Sequence, residues 1–429
     1  MSNFPQFPAG LHLLSGWQSG DAGATSRLKE IFDAAINGDA DANFAIPAPT
    51  CAVNIGGSVN LLTLTIMHDL YGIESSEFYK GDAKRYVRTT LLTRRLLGMN
   101  KLYMSWPVYA FAAEALGQVM MYPDKFPPGS DPEITLINKD NFKSILKTPD
   151  FTTGIPKIVD DIIRFTEELT GLEPVLHLSA PYSLAADIYG QEPLLADLVH
   201  NPDFANEMLD HIVDTVLKPW IDHFTNQFPN GWAEMSDASG SPFFIGPENC
   251  KTVAIRAIKR LVDENPWGHR VYDANYRGDY VTQAKKKTRG RRKATSDDSG
   301  ISIQELTDLK HSVCPDFIIR LDDDKVPLPF YTDQAIQRNV PLFTGIGVSQ
   351  VDRNSIADLD MAKQDIAQMA ADSVVAIKTV AQTIHKNGYS NPLQPWPGTV
   401  YFEDISSEAQ FDLVEIIVRE ALNNGAFTL

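Results

Sequence analysis

Apolar residues along this chain fall into two recurring patterns: short blocks with few interruptions, and longer runs with apolar positions at helical spacing. From Glu173 onward the two alternate. A strand is predicted over 175–178, breaking at Ser179-Ala180-Pro181 into helices over 183–189 and 192–198 and a long amphipathic helix over 204–226. The same phrase repeats as strand 232–235 with helix 247–264, strand 270–275 with helix 303–310, and strand 317–321 with helix 331–338. Strand 342–346 with helix 361–386 and strand 399–402 with helix 407–423 complete it. Small polar residues gather where strands end, as in Ser236-Asp237-Ala238-Ser239-Gly240. This alternation predicts parallel strands joined by helices, and we read it as an α/β fold of the (β/α)8 TIM-barrel type. Periodicity alone leaves a doubly wound open sheet as the alternative. In a barrel, chemistry collects at the carboxyl ends of the strands.

The first part of the chain is less regular. Helices are expected over 26–36, 59–71 and 83–97, the last ending at Gly98 as a C-cap would, with loop and strand before residue 50. A strand over 101–106, a helix over 110–116, a strand over 119–122, an extended piece over 135–137 and helices over 141–146 and 154–170 follow. Residues 1–100 then form an N-terminal helical cap with the first elements, and 1–429 form a single barrel domain, a size that barrels with insertions reach. No internal repeat is visible.

Composition narrows the class. At 43% hydrophobic and 22% charged residues the chain is an ordinary globular protein with ample core. No window is apolar enough to cross a membrane, and no basic region opens a secretory signal, so a cytoplasmic location is expected. Cys51, Cys250 and Cys314 are too few and too scattered for a disulfide framework or a paired-cysteine metal knuckle. A formal net charge of −17 argues against nucleic acid as a general partner. The exception lies within 281–301, where seven positive charges fall between Lys285 and Lys293. It reads as a basic, solvated mobile loop, or more sharply as a docking loop for an acidic partner protein.

Several stretches resemble the uroporphyrinogen decarboxylase superfamily, which also contains cobalamin-linked methyltransferases. They are AEALG at 113–117, SAPYSLA at 179–185, NPDFANEMLDHI at 201–212, and the Asp-ended strand before Gly246-Pro247-Glu248. The resemblance runs from about Pro47 to the C-terminus and implies a barrel. True decarboxylases clamp the porphyrinogen's carboxylates with an arginine-rich N-terminal motif; the comparable LLSGWQSGDAG has no arginine. Their catalytic Asp precedes an Ala-Leu-Gly; here Trp106, Pro107 and Val108 fill that place. Coenzyme M methyltransferases of the superfamily bind zinc through His-x-Cys and a later Cys. The comparable positions here are Asp273-x-Asn275 and a last strand without cysteine. Closest in kind is the first methyltransferase of corrinoid-dependent O-demethylases, which moves a methyl group from an aryl methyl ether to the cobalt of a separate corrinoid (cobalamin) carrier protein. That resemblance implies a small aromatic methyl ether substrate, the carrier as partner, and zinc as a candidate cofactor on Glu234, Glu248 and His269, spaced Glu-x13-Glu-x20-His. The alternatives are a uroporphyrinogen decarboxylase-like decarboxylase, methylcobamide-dependent methyl transfer to another acceptor, and a catalytically silent corrinoid-binding or scaffold protein.

An aryl ether leaves only when its oxygen is protonated or coordinated, so an acid or a Lewis acid must stand against that oxygen. Candidates for this chemistry are Asp237, Asp273, Asn275, Arg277 and His177, each at or near a predicted strand end. Their plainer roles are a turn or helix cap for Asp237 and a satisfied core histidine for His177. His269 precedes its strand by position, about 13 Å from Asp273 at about 3.3 Å per residue, on the stability side of a barrel. Trp106, Tyr109, Tyr182, Phe243 and Tyr272 are candidates to wall an aromatic pocket, with core packing as the plainer role. Asp322-Asp323-Asp324, the glycine-bearing 344–350, Glu403 and Asp404 are lesser candidates.

Overall fold

The computed structural model describes residues 5–45, 52–100, 108–263, 271–273, 302–320, 326–390 and 398–428. The described strands are β1 (Asn54–Gly57), β2 (Met120–Met121), β3 (Gly129–Ser130), β4 (Val175–Ser179), β5 (Trp232–Ser236), β6 (Val271–Asp273), β7 (Ile318–Arg320), β8 (Leu342–Ile346) and β9 (Gly398–Phe402). They build an α/β protein, rich in helix, with two parallel sheets. One has the order β1-β9-β8-β7 and the other β4-β5-β6; β2 and β3 form a separate antiparallel hairpin. Within each parallel sheet the strands follow chain order, except that the first described strand, β1, pairs in parallel with the last described one, β9, Asn54 against Thr399 through Gly57 against Phe402. Helices fill the connections.

The strands sort their side chains by parity. Leu176 and Leu178 of β4, Ala233 and Met235 of β5, Leu342 and Ile346 of β8, and Val400 and Phe402 of β9 join the main core with the helices. The opposite face carries Val175 and Trp232, which pack with Phe317, Ile319, Phe343 and Cys314 in a second, smaller cluster. Val175 and Trp232 belong to one sheet, Ile319 and Phe343 to the other. The inner faces of the two sheets therefore meet at the amino ends of their strands.

Local chemistry explains the helix boundaries. Asp21, Asp82 and Asp358 each cap a helix by accepting backbone N–H groups of its first turn. Gly171 ends the helix Gly154–Thr170 in the left-handed region, at φ 71. The long predicted helix over 204–226 is present, with one widened turn at Val213–Leu217. Pro219 has no N–H to offer the carbonyl of Thr215 four residues back. That carbonyl instead accepts the Thr148 hydroxyl at 3.0 Å, so the proline is tolerated inside the run. A second widened turn, Cys250–Ile255, interrupts the predicted helix over 247–264.

The structure departs from the sequence expectation in several places. A strand at Asn54–Gly57 was not anticipated, and the end of the loop and strand expected before residue 50, residues 46–50, lies outside the described residues. Helices Ala9–Gln18 and Ser75–Lys80 were not anticipated. The strand expected over 119–122 shrinks to Met120–Met121, because its hairpin partner is only Gly129–Ser130. The last helix starts at Phe411 rather than 407, since Ala409 bridges to Asp352 and the Gln410 N–H is taken by the Val351 carbonyl at 2.6 Å. The strand expected over 101–106 and the basic segment 281–301 lie outside the described residues. Among the described residues no helix is long and apolar enough to cross a membrane.

Candidate functional site

Above the apolar inner cluster, the next inward positions are polar. His177 and Glu234 stand opposite each other in register on β4 and β5, and His177 Nδ1 lies 3.8 Å from Glu234 Oε2. Their side chains are 5% and 12% exposed, so the pair is enclosed without being sealed. From the other sheet, β9 contributes Tyr401. Burial pushes its hydroxyl up from the ordinary tyrosine value; the charges of Glu234, Asp404 and Glu403 push the same way and Arg94 opposes them. Arg94 itself is fully buried on the helix Ala83–Leu96, where it also opposes the burial that raises Tyr86. The Tyr86 hydroxyl donates to Asn60 Oδ1 at 3.1 Å. Two sheets and one helix thus converge on one polar layer.

The strand ends come next. The Ala180 N–H donates to the Ser236 carbonyl at 3.0 Å, tying the end of β4 to the end of β5. Pro181 then opens the helix Pro181–Tyr189, its fixed φ suiting the first helical position. Asp237 follows β5 directly. Its Oδ1 accepts the Ser183 N–H at 3.1 Å, the Ser183 hydroxyl at 2.8 Å and the Gly240 N–H at 3.2 Å. The Ser183 hydroxyl oxygen also accepts the Ser239 N–H at 3.1 Å. Asp237 therefore caps the helix after β4 from across the turn after β5. Gly240 is required there: a Cβ on it would lie 2.3 Å from Asp237 Oδ2. Burial raises the Asp237 carboxyl to about 6, against the pull of those hydrogen bonds. Tyr182, beside it, is fully buried; burial first and the Asp237 charge second push its hydroxyl up. That hydroxyl has no hydrogen-bond partner among the described residues.

One turn further along the same helix is a group that the sequence reading did not single out. Asp187 is four residues after Ser183 and so shares its face of the helix. Burial raises the Asp187 carboxyl to about 7, the Ser130 hydroxyl of β3 pulling the other way. Its Oδ2 is buried without a hydrogen-bond partner among the described residues, although the residue as a whole keeps some exposure. The only sequence signal was an acidic residue inside an otherwise apolar helical stretch, SLAADIY.

The remaining expected residues lie on neighbouring elements or outside the described residues. Tyr272 and Asp273 lie in β6, in register with Glu234 and Met235. Tyr109 is in the helix Val108–Leu116. Trp106, His269, Asn275, Arg277 and the Asp322-Asp323-Asp324 run lie outside the described residues. Phe243 does not face a closed pocket: it is 68% exposed, edge-on to Phe244, because Pro242 and Ile245 anchor the short helix Pro242–Ile245 and turn both rings outward. Glu248 is exposed on a different element from the enclosed Glu234. Among the described residues no three His, Cys, Asp or Glu side chains are grouped so as to hold a metal ion. Of the residues expected to hold zinc, Glu234 is enclosed on β5, Glu248 is exposed, and His269 lies outside the described residues. The chemistry that the arrangement does offer is proton exchange near neutrality, from Asp237 and Asp187, beside a partly enclosed polar layer.

No protein-family model matches the chain. None of the curated proteins matches it either. Among solved structures it is similar to a methyltransferase from Methanosarcina mazei, with a TM-score of 0.59 and 13% sequence identity, over 91% of this chain and 96% of that one. The two chains share a fold along nearly their whole lengths.

Proposed function

We propose that this protein is a methyltransferase that moves a methyl group from an aryl methyl ether, or a similar methyl donor, to the cobalt of a corrinoid carrier protein. What carries the proposal is a pair of carboxyls, Asp237 directly after β5 and Asp187 on the helix that follows β4, raised by burial to about 6 and about 7, in a chain that shares its fold with a methyltransferase. Methyl transfer from an ether needs a proton source at the leaving oxygen near neutral pH, and no nucleophile from the protein, because the reduced corrinoid is the methyl acceptor. The fold of the proposed enzyme is a closed (β/α)8 barrel. Seven described parallel strands follow chain order in two arcs, the first strand pairs with the last, and both arcs share the inner cluster around Trp232 and Phe343. The strand expected over 101–106 would be the eighth.

In this reading the apolar cluster of Val175, Trp232, Ile319 and Phe343 closes the floor of the site. His177, Glu234 and Tyr401 form the polar layer above it, and Tyr182 with Asp237 form one wall near the mouth. The methoxyarene ring would lie over the His177, Glu234 and Tyr401 layer, with its ether oxygen toward the acid, and the buried Tyr182 would back Asp237. Phe243 and Phe244 belong to the rim, where a carrier protein would approach.

The direct test incubates the purified protein with a carrier holding cob(I)alamin and a panel of methyl donors, guaiacol and veratrole among them. Formation of methylcobalamin, read by visible absorbance, is expected with at least one aryl methyl ether. Silence across methyl ethers and methylamines would overturn the proposal, and carbon dioxide release from a porphyrinogen would replace it with decarboxylation.

A further inference from the structure

The geometry points to Asp187 as the proton donor to the leaving oxygen, with Asp237 serving to hold the helix that presents it. This rests on the methyl-transfer reading above. Asp237 spends its Oδ1 on three hydrogen bonds that lock Ser183 and Gly240, which is a structural commitment. Asp187 has no such commitment: its Oδ2 makes no hydrogen bond among the described residues, and the residue retains some exposure. Ser183 and Asp187 are one helical turn apart on one face, with β-carbons about 5–6 Å from each other. The Asp237 lock therefore fixes the position of Asp187 relative to the ends of β4 and β5.

The surroundings leave Asp187 able to hold a proton. Its carboxyl is raised to about 7 by burial, with only the Ser130 hydroxyl opposing. Of the elements packed on this helix, Val108–Leu116 carries Glu114, which is occupied by Lys80 and Tyr122. The next helix, Gln191–His200, carries Asp197, occupied by Tyr189, Lys139 and Asn201. β4 carries His177, paired with Glu234. None of these charges contributes to the Asp187 shift. An acid that titrates near the working pH is well matched to its task.

The step balances as follows. The O–CH3 bond breaks with its electron pair staying on oxygen. The methyl group passes to the reduced corrinoid cobalt, which supplies the two electrons of the new Co–C bond and is formally oxidised by two. The Asp187 proton moves to the oxygen, giving the phenol and the Asp187 carboxylate, which solvent then reprotonates.

The test compares wild type with Asp187→Asn and Ser130→Ala over aryl methyl ethers of graded leaving ability, from anisole to 4-nitroanisole. Circular dichroism first establishes that each variant is folded. Asp187→Asn should lose about 100-fold or more in kcat on anisole, the scale of a lost general acid, and about 3-fold or less on 4-nitroanisole, whose phenolate leaves without a proton. Wild-type kcat should fall as pH rises through about 7. Ser130→Ala should move that limb to higher pH, since the Ser130 hydroxyl favours the carboxylate. Equal losses on every donor, or an unmoved limb in Ser130→Ala, would overturn the role of Asp187 while leaving methyl transfer intact. A second readout needs no turnover: the infrared difference between wild type and Asp187→Asn should contain a protonated-carboxyl band at pH 6 that fades through about pH 7. Absence of that band overturns the donor role even if no methyl donor is ever found, so its failure and that of the methyl-transfer reading are told apart.

Discussion

The Asp237 turn is where single side chains matter most. Asp237→Ala would strand the buried N–H groups of Ser183 and Gly240 and should cost about 3 kcal/mol or more, at about 1–3 kcal/mol for each unpaired group. Denaturant unfolding measures it. Asp237→Asn keeps an acceptor oxygen and separates structure from charge. Because folding raises this carboxyl from its ordinary 3.8 to about 6, its contribution to stability is present in full below about pH 4 and is lost as pH rises through about 6. The stability of Asp237→Asn relative to wild type should therefore improve between pH 4 and pH 7, by up to about 3 kcal/mol; a flat difference would contradict the burial of that charge. Gly240→Ala should also destabilise, by about 1–3 kcal/mol, because its methyl would meet a carboxylate that three hydrogen bonds prevent from moving. At this scale the sequence was partly legible. Asp237 and Tyr182 could be picked out because they follow predicted strand ends. Asp187 could not, since its hydrogen-bond partner Ser130 comes from a hairpin, β2–β3, whose place in space the sequence does not announce. Phe243 misled for the opposite reason: an aromatic after a strand end suggests a pocket, but the anchors on either side decide where the ring points.

Among the elements, long helices and apolar strands were readable, and the strands rich in glycine were not. β1 reads Asn-Ile-Gly-Gly, which looks like a loop. It is a strand because Gly57 adopts a φ of 153 and lies against Phe402, so close that a Cβ would come within 2.7 Å of the Phe402 carbonyl oxygen. Gly57→Ala should accordingly cost about 2 kcal/mol or more through clash and backbone strain. Gly171→Ala is the matched control. It too has a positive φ, of 71, but open space around the position, so the loss should be about 1 kcal/mol from the left-handed backbone alone. Similar midpoints for the two variants would mean that the β1–β9 contact tolerates adjustment. The widened turn before Lys218 was equally hidden, although its cause, Pro219 inside a helical run, was in plain view; what could not be foreseen was Thr148 arriving to take up the freed carbonyl.

For the whole molecule, the inner apolar cluster is the decisive feature, because both parallel sheets contribute side chains to it. Trp232→Ala should cost about 3–5 kcal/mol, as loss of a buried aromatic does. It should also lower hydrogen-exchange protection in β8 as well as in β5, since Trp232 and Phe343 share one cluster. Loss confined to β5 would show that the sheets open separately. The pairing of β1 with β9 bears on how the protein is made. On a ribosome, β1 is released early, while the partner that completes it is encoded roughly 350 residues later. At about 5–20 residues per second, β1 must wait on the order of 20 to 70 seconds for β9. Throughout that interval a nascent chain has an unsatisfied sheet margin, open to attack by proteases, by neighbouring chains on the same message, or by a chaperone that shields it. Synthesis speed and holdase supply should thus govern the yield of this protein in cells far more than the stability of the finished fold.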